Sequence, residues 1–240
     1  KISNCVVGIS YNANLSGTFT GGVIAYNELD TIVGPDPGQG YGIHLAKATK
    51  IRVFDNSINK AQRHAIYHAA GDTGCVIHHN IITNHRQGVA TAAYRPAIVV
   101  SRSTNVIVTD NIVRDHYDGG IEISHVTTDS LSCSTVLVEG NIFANRQNAI
   151  QDIFIGEQAV PGTYETLNVT IRNNQCVNAY ATSGTSGAII VLNGRRISIR
   201  GNVFLTTGIT STARFIEIGH NSYITNDADC EDTLVEDNEF

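Results

Sequence analysis

The stretch Ile51-Arg52-Val53-Phe54-Asp55-Asn56-Ser57-Ile58 decides how the chain folds, because it recurs. Alternating apolar residues lead to an Asn, and an apolar residue follows shortly after. The same pattern reads VIHHNII at 76–82, VIVTDNIV at 106–113, VLVEGNIF at 136–143, VTIRNNQC at 169–176, ISIRGNVF at 197–204 and LVEDNEF at 234–240. A looser copy, VIAYNEL, stands at 23–29. The shared residues are Asn27, Asn56, Asn80, Asn111, Asn141, Asn174, Asn202 and Asn238.

A second apolar segment recurs between these copies: GIHL at 42–45, AIYH at 65–68, AIVV at 97–100, GIEI at 120–123, AIQD at 149–152, AIIV at 188–191 and FIEI at 215–218. Ile43 to Asn56, Ile98 to Asn111 and Ile189 to Asn202 each span 13 residues, and Asn56 to Ile66 and Asn111 to Ile121 each span 10. The minimal repeat is therefore 13 + 10 = 23 residues. Longer spacings are this unit plus insertions at 28–42, 81–96, 124–135, 155–167 and 219–233.

Strands this short make no stable flat sheet alone. Wound into a coil, each pairs with its equivalent one turn away, about 4.8 Å distant. Inward residues then stack in columns shared between coils. The spacing predicts an all-β parallel β-helix of about eight coils in a single domain, 1–240, expected to be part of a longer chain because no polar cap closes either end. The Asn is expected at a corner, in a left-handed backbone, its amide bonded to the Asn residues above and below.

Composition agrees with this and narrows the function. The chain has 240 residues, 16% of them charged, with a net charge of -6. That balance argues against a general nucleic-acid binder, although a local basic cluster could still hold an anionic substrate. No apolar run reaches the length of a membrane span, and Lys1 to Tyr11 read as strand, not as a secretory leader. The cysteines Cys5, Cys75, Cys133, Cys176 and Cys230 lack metal-ligand spacing, and most are expected as buried core thiols.

The repeat resembles the pectate-lyase-like right-handed β-helix superfamily, which includes pectate and alginate lyases, polygalacturonases, mannuronan epimerases and phage tailspike depolymerases. The resemblance covers the whole chain at the level of architecture. The Gly-His-Gly of polygalacturonases is absent, since Gly219-His220 is followed by Asn221, and the Asp-Pro-His of the epimerases is absent as well. No catalytic residue carries over by motif, and the fold alone does not fix the chemistry. The resemblance implies an extracellular carbohydrate-active protein with its groove on the outer face of one sheet.

Two patches could supply that chemistry. A basic and aromatic one holds His44, Arg63, His64, Tyr67, His68 and Arg95. Elimination at a uronate needs a cation on the carboxylate and a base for the neighbouring proton; Arg63, Tyr67 and His68 are its catalytic candidates. Alternation leaves open that His68 points inward. An acidic patch holds Asp115, Asp118, Glu122, Asp152 and Glu157. Hydrolysis needs two carboxylates on either side of a glycosidic bond; Asp118, Glu122 and Asp152 are candidates. The same carboxylates could hold Ca2+; otherwise no cofactor or metal site is read, and RDHYDGGIEISH at 114–125 gives only weak metal-ligand spacing.

Outward positions of the second segment, taken from its first Ile, are His44, Tyr67, Val99, Glu122, Gln151, Ile190 and Glu217. Substrate-binding candidates are His44, His64, Arg95, Gln151, Glu217 and the loop residue Tyr164. Exposed apolar groups at Val99 and Ile190 would suit a homotrimer. Two readings result: a polysaccharide lyase or hydrolase, including a tailspike-like depolymerase, or a non-catalytic glycan-binding or structural β-helix of a virion or cell surface.

Overall fold

A computed structural model describes residues 1–12, 18–34, 39–69, 73–86, 95–124, 132–146, 151–156, 166–177, 187–192, 194–205, 215–219 and 230–240. Every regular element among them is a β-strand, and all pairings are parallel. Each coil contributes to three sheets of eight, eight and nine strands. One coil shows the order: Ala48–Phe54 in the C sheet, a corner at Asn56, Ser57–Ala61 in the A sheet, a tight turn, then His64–Ala69 in the B sheet. The chain is thus a right-handed parallel β-helix.

The sequence pattern showed two segments per coil; the structure has three. The missed A sheet is the short piece after each Asn. Its inward residue lies two places on: Ile58, Ile82, Val113, Phe143, Cys176 and Phe204, all buried. A three-residue strand such as Ile81–Thr83 is too short to show alternation.

The core is built from columns. In the B sheet, Ile9, Ile43, Ile66, Ile98, Ile121, Ile153, Ile189 and Ile216 stack in register, one per coil. Isoleucine suits this site because its branched side chain is stiff and fills a pleated surface. Cys75, Cys133 and Cys176 are buried thiols, Cys5 and Cys230 are half-buried, and none of the five forms a disulfide.

The asparagines form an unbroken ladder. Each Nδ2 donates to the Oδ1 of the next, from Asn27 to Asn238, at 2.9–3.0 Å. Each Oδ1 also accepts from the backbone N–H of the Asn below. The left-handed residue, however, is not the Asn but the one before it: Tyr26, Asp55, His79, Asp110, Gly140, Asn173, Gly201 and Asp237 all have φ between 51° and 66°. The turn is made by that residue, which frees the Asn to point inward and bond along the axis.

Candidate functional site

The B sheet's outer face positions the candidate site. Its outward column runs His44, Tyr67, Val99, Glu122, Phe154, Ile190 and Glu217. Gln151 is not in it. The stacked isoleucine of that coil is Ile153, not Ile150, so Phe154 takes the outward place and Gln151 is buried at the corner. Both frames of AIQDIFI alternate plausibly, and only inter-coil pairing separates them.

The column is open at one end and covered at the other. His44, Tyr67 and Glu122 are half-buried, but Val99 is 3% exposed, Phe154 2% and Ile190 8%. Phe154, Ile190 and Leu192 form a small buried cluster of their own. Val99 and Ile190 therefore present no exposed apolar stripe, which removes the reason for placing a trimer contact there. Glu217, also buried, lies at the covered end.

At the open end, aromatic rings pack together. Tyr41 stacks on His44 with centroids 4.8 Å apart and planes at 17°. Tyr67 lies 5.3 Å from Tyr41, 5.5 Å from His44 and 5.2 Å from His64. The Arg63 guanidinium sits over the Tyr41 ring at 5.0 Å, an arrangement that favours the cation. Burial, then the charge of Arg63, holds His44 below the usual imidazole range, so it stays neutral near pH 7. Burial raises the Tyr41 phenol.

Arg95 comes to this cluster on a segment fixed by buried polar groups. Its carbonyl lies 2.7 Å from His85 Nε2, and the Pro96 carbonyl 2.7 Å from His64 Nδ1. Its own N–H donates to Asp118 Oδ2 at 3.0 Å. The same carboxylate oxygen takes the buried Arg86 guanidinium. Burial first, and then the nearby Arg63, lowers the Arg95 guanidinium from its ordinary value. Two half-buried cations side by side repel each other, and an anion between them would relieve that repulsion.

The proposed residues therefore separate. His44, Arg63, Tyr67 and Arg95 share one surface with Glu122 near its edge. His64 is buried against Tyr67 and supports the Arg95 segment. His68 is fully buried in the column of Leu45 and Val100, where desolvation lowers it to about 4; no substrate reaches it. Asp118, 4% exposed, is spent on Arg86 and the Arg95 backbone. Asp152, 2% exposed, lies inside with His116 and Arg146. Tyr164 and Glu157 lie outside the described residues. Among the described residues, no three His, Cys, Asp or Glu groups converge as a metal cage.

His85, Arg86 and Arg146 escaped the sequence reading, and His116 was read only as part of a weak metal-ligand spacing, not as the buried partner of Asp152. His85, His116 and Arg146 follow left-handed residues at the A-to-B corner, Asn84, Asp115 and Asn145. The available signal was their common place, five residues after Asn80, Asn111 and Asn141.

A family model described as right handed beta helix region matches residues 1–130 and 38–204. The chain belongs to that family, and the resemblance read from the repeat stands. Similar solved structures include the A-module of a mannuronan C-5 epimerase of Azotobacter vinelandii, at 12% identity and a TM-score of 0.44, covering 93% of this chain and 66% of that one. Another is the catalytic unit of a thermostable GH87 α-1,3-glucanase of Streptomyces thermodiastaticus, at 12% identity and a TM-score of 0.40, covering 95% and 53%. A third, a GH87 α-1,3-glucanase catalytic domain in complex with nigerose, has 11% identity and a TM-score of 0.33, covering 98% and 60%. The chain spans less than two thirds of the length of each. No curated protein matches.

Proposed function

We propose that the chain binds an acidic polysaccharide along the open end of the B sheet's outer face and cleaves it by β-elimination. The observation that carries this reading is the pairing of Arg63 and Arg95 beside the Tyr41, His44 and Tyr67 rings. The two guanidinium groups bind and neutralise a uronate carboxylate, which acidifies the adjacent carbon-bound proton. Neutral His44 takes that proton, and the Tyr67 phenol gives one to the glycosidic oxygen as the carbon–oxygen bond breaks and a carbon–carbon double bond forms. The half-buried rings of His44 and Tyr67 offer a stacking surface for sugar.

Hydrolysis fits less well. Of the three carboxylates considered, Asp118 and Asp152 are held in buried ion pairs. Glu122 and Glu217 are three coils apart, about 14 Å at about 4.8 Å per coil, beyond the span that two hydrolytic carboxylates use. An extracellular setting suits a polymer substrate, and we include it in the proposal.

The test is digestion of a panel of acidic and neutral polysaccharides, followed by ultraviolet absorbance of unsaturated ends and by reducing ends together. Both signals rising on acidic polymers, and falling in Arg63→Gln, support elimination. Reducing ends without absorbance point to hydrolysis. Silence across the panel, with binding to acidic glycans retained, reduces the reading to a non-catalytic glycan binder.

A further inference from the structure

On the opposite side of the coil, the turn into the ladder at Asn80 carries two adjacent histidines. His78 closes the strand Val76–His78 and stacks on Phe54 from the neighbouring coil, with centroids 4.9 Å apart and planes at 13°. His79 is exposed and occupies the left-handed corner position at φ 53°. The two rings meet edge to face at 5.0 Å. Their Nδ1 atoms are 2.7 Å apart.

Two imidazole nitrogens at that distance share one proton: one donates and the other accepts. The same geometry is close to a chelating bite. Nitrogens about 2.05 Å from a cation and at right angles to each other lie about 2.9 Å apart, whereas a tetrahedral ion needs about 3.3 Å. The pair opens by a few tenths of an ångström for a tetragonal ion and by more for zinc. Phe54 holds one ring in place and the corner backbone holds the other, so little ordering remains to be done on binding.

The surrounding charge is mixed: burial first, then His79 and Arg52, holds the His78 imidazole below its ordinary value, and two carboxylates oppose them. Asp55 and Asp110 occupy the same left-handed corner on the coils to either side, at φ 52° and 55°. Both act on His78 to favour positive charge, while Arg52 opposes it. No third ligand converges on the pair among the described residues, so water completes the coordination.

We propose that His78 and His79 form a surface site for a tetragonal divalent transition-metal ion, copper(II) foremost and nickel(II) next, bound through both Nδ1 atoms as the proton between them moves to Nε2 of the ring that held it. The site is separate from the B-sheet groove and does not depend on the function proposed for it.

The experiment is a titration of the whole chain with copper(II) chloride, read by electron paramagnetic resonance. One equivalent is expected to give a tetragonal signal with two imidazole nitrogens. His78→Gln and His79→Asn should each weaken binding tenfold or more and leave one nitrogen; Asn tolerates the left-handed corner, so the fold is kept. His44→Asn should leave the signal unchanged. Nickel should raise the thermal midpoint of the wild type and not of His79→Asn. Copper that remains as the free ion with the wild type, or a two-nitrogen signal that survives both substitutions, overturns the proposal.

Discussion

His116 Nε2 lies 3.2 Å from Asp152 Oδ1, with both side chains buried in the solenoid. The Asp152 residue stands where other coils place Gly42, Ala65, Ala97, Gly120 and Ala188, just before the stacked isoleucine. A carboxylate at that inner corner is tolerated because Arg146 lies 4.0 Å from its other oxygen. Burial pushes the Asp152 carboxyl up, but Arg146, His116 and the Cys176 thiol outweigh it and hold it below its ordinary value. Removing one member of such a group strands the others. Asp152→Ala is expected to destabilise by about 3–5 kcal/mol, measured by urea unfolding. An equal loss of activity with unchanged stability would instead place Asp152 in the chemistry.

The Arg95 segment makes a different prediction. Asp118→Asn keeps the shape but weakens the hold on Arg86 and on the Arg95 N–H. Polymer binding and cleavage should both fall, with a stability loss of about 2–3 kcal/mol. His44→Asn and Tyr67→Phe should leave stability within about 1 kcal/mol and lower turnover by about 100-fold or more, the usual contribution of a proton-transfer group. Unchanged turnover in both variants would remove them from the mechanism.

Acid should destabilise the fold through the buried histidines. His68 falls from 6.5 to about 4 and His85 to about 3, desolvation leading in both. Each folded-state value is below the unfolded one, so stability is complete above about pH 6.5 and is lost as pH falls toward the folded value. His68 alone accounts for up to about 3 kcal/mol by about pH 4. Urea midpoints should drop across that window, and His68→Leu should flatten the drop. A pH-independent wild-type midpoint would contradict this.

The ladder is open to the same kind of test. Asn111 Nδ2 donates to Ile77 O, Thr109 O and Asn141 Oδ1, and its Oδ1 accepts twice from Asn80. Asn111→Ala is expected to destabilise by about 3–5 kcal/mol, at about 1 kcal/mol per bond. Thermal and urea unfolding would measure it, and a change under about 1 kcal/mol would show that the ladder is incidental.

Legibility in the sequence followed periodicity. The Asn column and most of the isoleucine column were readable because each recurs at a nearly constant offset. The A sheet hid in three-residue strands, and the frame of Ile153 against Ile150 depended on pairing with Ile121 and Ile189. Asp118 and Asp152 looked like surface acids because sequence shows charge but not the buried arginines that neutralise it. Arg86 and Arg146 sit at corners, where neither helical nor strand alternation tells inside from outside. His44 and Tyr67 were readable because the outward column keeps step over the first coils, and Arg63 and Arg95 share one place, three residues before the stacked Ile66 and Ile98.

The asparagine ladder also sets how such a chain can change in length. The link from Asn56 to Asn80 crosses 24 residues and the link from Asn202 to Asn238 crosses 36, yet the bonds are the same. Residues added at a loop leave donor and acceptor in line. A whole coil removed or duplicated joins an Nδ2 to an Oδ1 as before, whereas a fraction of a coil leaves an amide facing the wrong wall. Growth and shortening of this solenoid are therefore quantised in single turns, while the loops that shape its surface vary freely.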